Sequence, residues 1–180
     1  MAIRVTDTAH VAAEGAGDVE RHALVPAEDG SELALDALRL DEGATLALDD
    51  TLRDTLLFVH SGGGDLDGAA LDGRCAGFVA AGARGTLAAG SGGLECVRGT
   101  VGPATDVHAP MGAAETAVAL EHVEPGQATG ARSFQVLFGP HNGSTRATMF
   151  VGYIPPGKAP WHYHLYDEIV WVLRGAGRLH

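Results

Sequence analysis

The run from Pro156 to Gly177 holds the side chains in this chain best suited to chemistry. His162 and His164 stand two residues apart, so on an extended strand both imidazoles leave the same face, and Glu168 has the same parity four residues later. Two neutral imidazoles and a carboxylate converging on one side of a sheet form a cradle for a divalent transition ion, with open positions left for water or a substrate. Asp167 offers the histidines a plainer use as carboxylate pairs, but the glutamate, the shared parity and a trailing glycine at Gly175 favour a metal.

The elements that must position these donors read as strands. Short apolar runs, LLFV at 56–59 and IVWVL at 169–173, are separated by many of the 26 glycines, which predicts an all-β sandwich or barrel. Asp29-Gly30 and Asn142-Gly143 lie between apolar stretches and predict two tight hairpin tips of type I′. They also expose a repeat, since Gly143 stands 113 residues after Gly30 (143 − 30). The same shift places Leu24 on Leu137, Leu52 on Leu165, Asp54 on Asp167, Val59 on Val172, Gly62 on Gly175 and Phe58 on Trp171. The expected organisation is an arm over 1–19, a first lobe over 20–100, a linker over 101–131 with a short helix near 112–122, and a second lobe over 132–180.

The run PGKAPWHYHLYDEIVWVLRGAG resembles the first conserved motif of the cupin superfamily, a glycine followed by HxH, three or four residues, Glu, six residues and Gly. His162, His164, Glu168 and Gly175 match it in register, whereas Gly157 lies one residue nearer the histidines than the pattern has it. The resemblance implies two cupin barrels of the jelly-roll type, a bicupin. It also implies one Fe, Mn, Ni or Zn ion per complete second lobe, held by His162, His164, Glu168 and a further histidine. Shifted back by 113, the ligand positions fall on Asp49, Thr51 and Thr55, and the histidine slot of the family's second motif falls on Gly85, so the first lobe is expected to bind no metal. Gly85 plus 113 is position 198, so the second barrel is expected to be incomplete within these 180 residues. The functions implied are a metal-dependent enzyme of small-molecule metabolism, dioxygenase-, decarboxylase-, isomerase- or hydrolase-like, or a non-catalytic small-molecule binder acting as sensor or scaffold. No catalytic residue beyond the metal donors is assigned.

Composition narrows the partners. Twelve Lys+Arg against 23 Asp+Glu give a formal net charge of −11, which repels phosphate backbones and anionic lipid surfaces. Neither a signal peptide nor a membrane-spanning run is present in the sequence, so a cytoplasmic protein acting on a small molecule is expected, and a homodimer is an allowed assembly. Cys75 and Cys96 lack CxxC spacing and read as buried thiols.

Overall fold

Alternation of apolar and polar residues with frequent glycine yields strands throughout. The computed structural model describes residues 5–15, 17–27, 32–103, 107–158 and 165–178. Among them lie β1 (Val19–Val25), β2 (Leu33–Leu40), β3 (Thr45–Leu48), β4 (Asp54–Leu66), β5 (Ala69–Asp72), β6 (Cys75–Val79), β7 (Gly85–Val101), β8 (Ala117–Ala119), β9 (Gly126–Gln127), β10 (Ser133–Phe138) and β11 (Met149–Tyr153). The only helical turns among the described residues are two 3-10 turns, Thr8–His10 and Leu120–His122. The expected all-β, antiparallel architecture is what forms.

The first sheet runs β1-β2-β7-β4-β6-β8, with β3 also on β7 and β5 also on β4. The long strands β4 and β7 let it curl, because both bend where glycine permits a left-handed backbone, at Gly62 (φ 69°) and Gly93 (φ 71°). Their ladder shifts register between Val59 and Ser61 and again between Gly62 and Gly64. At Gly64 the two strands come so close that a Cβ would lie 1.9 Å from the Ala88 carbonyl oxygen. A Gly64→Ala chain should therefore lose about 1–3 kcal/mol in denaturant unfolding, as overpacked sites do. An unchanged midpoint would mean that the strands part freely there.

Curling encloses a core of Leu38, Leu40, Leu57, Val59, Leu66, Leu71, Leu87, Leu94 and Cys96, each at most 3% exposed. Full burial of each aliphatic side chain stabilises the fold by about 1.5–3 kcal/mol. One charged cluster shares this interior. Asp36, 4% exposed, accepts hydrogen bonds from Arg21 Nε at 2.9 Å and Arg98 Nε at 3.0 Å, which ties β1, β2 and β7 together.

The second sheet, β11-β10-β9, repeats the first hairpin in detail. β1 and β2 shift register between Ala23 and Val25, and β10 and β11 shift between Val136 and Phe138, positions 113 apart. Beyond that bulge Val25 pairs with Leu35 but Phe138 pairs with Met149, so the returning strand is displaced by 114 (149 − 35). The expectation of one constant offset is thus corrected by a one-residue insertion in the hairpin connection. The cause lies at Asn142, which is buried and is not the tip of a two-residue turn. Its side chain accepts from the Gly139 amide at 3.0 Å and donates to the Leu137 carbonyl at 2.8 Å and to Glu115 at 3.1 Å, bracing a loop over 139–148. The Asp29-Gly30 tip lies outside the described residues.

The correspondence extends into the segment read as a linker. No α-helix forms over 112–122; a three-residue strand, β8, pairs with β6 there, because β6 presents an open ladder edge. The 3-10 turn Leu120–His122 ends on Val123 as Thr8–His10 ends on Val11. His22 Nδ1 lies 2.9 Å from the Val11 carbonyl oxygen, and Gln135, 113 residues on, donates to the Val123 carbonyl.

Between the sheets lies a second core built from like positions. It holds Leu24 and Leu137, Val25 and Phe138, Leu35 and Met149, Ala37 and Val151, and Val11 and Val123. The rings of Phe78 and Phe138 meet there at 5.6 Å.

Candidate functional site

His162 and His164 lie outside the described residues, so the structure speaks to the expected metal cradle only through Glu168 and the segment 165–178. No strand is assigned to that segment among the described residues, although a strand was expected there. The physical reason is visible in the first sheet, where β4 is held by β7 on one side and β6 on the other. No described ladder flanks residues 165–178 in that way.

The segment nonetheless alternates. Ile169 and Trp171 pack on the core between the sheets, beside Leu56 and Phe58, which precede them by 113 residues. Val170 and Val172, the counterparts of the fully buried Leu57 and Val59, are 66% and 64% exposed. Glu168 shares the parity of Val170 and Val172, so it belongs to the face turned away from the shared core. Trp171 also stacks on His60, with ring centroids 6.2 Å apart and planes 26° off parallel. His60 had been read as a bland position on an apolar strand; its ring contact was not legible from one strand alone.

The first sheet holds no comparable site. Of the positions equivalent to the donors, Asp49 and Thr51 are exposed in the β3–β4 connection and Thr55 is buried in β4. At Gly85 a Cβ would sit 2.8 Å from Val79 Cγ2, so that slot has no room for an imidazole. Leucines fill the interior. A depression of about 330 Å³ opens at the rim, lined by Arg39, Asp41, Glu42, Ser61, Ser91 and Glu95. Among the described residues no three His, Cys, Asp or Glu side chains converge as a metal cluster would, and two of the three predicted donors lie outside that set.

The thiols take no part in such a site. Burial pushes the Cys96 thiol up to about 12, and burial likewise raises Cys75, which is half-buried. Neither is a thiolate at neutral pH.

No family model matches the chain, and no curated protein matches it either. Solved structures do. A Pseudomonas aeruginosa protein provisionally assigned as glyoxylate-induced is similar with a TM-score of 0.58 at 12% identity, over 71% of this chain and 52% of that one. KdgF from Halomonas has a TM-score of 0.47 at 12% identity, over 58% of this chain and 98% of its own. Ectoine synthase from P. lautus has a TM-score of 0.48 at 13% identity, over 57% of this chain and 80% of its own. At such identities only fold is carried over, and only the first comparison carries it. The chain spans about half the length of the Pseudomonas protein, and its fold is all-β and consistent with the cupin jelly roll. No helix among the described residues is long and apolar enough to cross a membrane.

Proposed function

We propose that this chain comprises a structural first cupin lobe and strands of a second, and that the second lobe binds one divalent transition ion, Fe, Mn, Ni or Zn, through His162, His164 and Glu168. The observation that carries the reading is the packing of Ile169 and Trp171 in the places of Leu56 and Phe58. That packing aligns 168–172 with the inner β4 strand of a closed barrel and puts Glu168 on the barrel-facing side. The donor set suits such an ion, since two neutral imidazoles and one carboxylate leave coordination positions open. When bound, the ion would supply Lewis-acid or oxygen-activating chemistry toward a small organic molecule.

The chain's own residues divide the work. Glu168 offsets part of the ion's charge, and the histidines bind in neutral form, so binding weakens as pH falls and they protonate. The leucine-filled first lobe supplies the rigid surface on which Ile169 and Trp171 anchor the donor segment. The activity belongs to small-molecule metabolism, of dioxygenase, decarboxylase, isomerase or hydrolase type.

Calorimetric titration of the chelator-treated protein with Zn²⁺ and Mn²⁺ tests the centre. Glu168→Gln should weaken binding by more than the roughly 10–100-fold that loss of an outer partner costs, while Asp167→Asn leaves it unchanged. Equal affinities for wild type and Glu168→Gln would sink the assignment. Tight binding without turnover in an oxygen-consumption and decarboxylation screen would favour the non-catalytic sensor.

A further inference from the structure

We infer that Phe134 and Phe150 form the apolar wall of a ligand chamber beside the metal centre, and that the chamber takes a compact ligand whose far end carries no charge. The inference rests on the two-lobe reading above and deepens it. Its basis is the paired register of the two hairpins. Ala23 opposite Asp36 corresponds to Val136 opposite Phe150, and Arg21 opposite Leu38 corresponds to Phe134 opposite Gly152.

Three substitutions between equivalent positions follow from that register. The Arg21–Asp36 ion pair of the first lobe becomes a ring pair, with Phe134 and Phe150 meeting edge-on at 6.4 Å and 78°. Leu38, 3% exposed and part of the first lobe's core, becomes Gly152, which takes a leucine side chain out of the interior. The first lobe is therefore filled and charged where the second is open and apolar. Phe134 is seated by a third glycine: a Cβ on Gly126 would lie 2.9 Å from Phe134 Cζ, so the ring rests directly on the β9 backbone.

The wall and the donors sit on adjacent levels. In the first lobe Asp36 and Leu57 both pair with Arg98, while Ala34 and Thr55 both pair with Thr100. The counterpart of Asp36 is Phe150 and that of Thr55 is Glu168. Glu168 is thus one two-residue step, about 6.6 Å along a strand, from the level of the rings. A ligand group reaching the ring level meets apolar surface and an aromatic edge. A second charge there would lose hydration with no partner to replace it.

Two arms separate this inference from the metal reading. In metal-free protein, saturation-transfer NMR with benzyl alcohol as probe should show transfer in wild type. Transfer should be lost in Phe134→Arg/Phe150→Asp, which installs the first lobe's pair, and in Gly152→Leu, which refills the chamber without adding charge. In Co²⁺-loaded protein, the cobalt absorption bands should report benzoate binding about 10-fold tighter than acetate, as burial of roughly half a ring predicts. The preference should vanish in Gly152→Leu with Co²⁺ still bound. Absence of transfer in wild type, or cobalt binding with equal affinity for benzoate and acetate, overturns the chamber. Transfer that is present in wild type and lost in the variants, in a protein that binds no Co²⁺, upholds the chamber and overturns the metal centre. If the charged double variant fails to fold, Gly152→Leu decides alone.

Discussion

An Asp36→Ala chain is expected to lose about 3–5 kcal/mol of stability, the usual cost of removing one partner from a buried ion pair. Asp36 is 4% exposed and receives both Arg21 and Arg98, whose side chains are 42% and 19% exposed. Without the carboxylate, the Arg98 guanidinium stays largely buried with its principal anion gone. Arg21 suffers less because it reaches solvent and also meets Glu14 at 3.3 Å. The bond to Asp36 is the first cause of the raised Arg21 pKa, so its loss acts on the same contact from the other side. Replacing the trio together, Arg21→Met/Asp36→Leu/Arg98→Met, should restore most of the stability, since apolar replacements of whole buried pairs are often neutral or better. Urea unfolding of the three chains checks both halves. Wild-type stability in Asp36→Ala would show that water reaches Arg98 and that the cluster is a surface feature.

The sequence made some of this legible and hid the rest for identifiable reasons. The spacing of His162, His164 and Glu168 with Gly175 is local, and local periodicity survives in a single sequence. The repeat was visible for the same reason, but its register was not. A one-residue insertion shifts the offset to 114 on β11, and the offset returns to 113 at Ile169 and Trp171, so the motif's shortened approach after Gly157 compensates the longer hairpin loop. Asn142-Gly143 carried a turn signature, yet the side chain of Asn142 is spent on Gly139, Leu137 and Glu115, partners that only the folded chain brings together. Residues 117–119 form a strand because β6 offers them a ladder, a condition set by tertiary structure and not by propensity. The Arg21–Asp36–Arg98 cluster spans sequence separations of 15 and 62, beyond any local pattern. Phe134 and Phe150 acquire meaning only after the strands are aligned pair by pair.

Truncating Phe138 should separate the two sheets energetically. Its side chain is fully buried, packs at 5.6 Å against Phe78, and sits among Leu24, Val25, Leu35 and Leu137 where the hairpins face each other. Phe138→Ala is expected to cost about 3–5 kcal/mol, as large aromatic truncations in cores do. The loss should not spread evenly. The first sheet keeps a separate aliphatic core whose members, from Leu38 to Cys96, make no use of Phe138. The second sheet has three strands and only the shared core to hold it, and sheets that small are marginal alone. Native-state hydrogen exchange should therefore show the amides of β10 and β11 losing protection in Phe138→Ala while those of β4 and β7 keep theirs, with denaturation dividing into two transitions. The segment carrying Glu168 should loosen with the second sheet, because Ile169 and Trp171 anchor on the same core. A uniform rise in exchange across β4, β7, β10 and β11, with one cooperative transition, would show instead that the chain unfolds as a unit and that the shared core does not divide it.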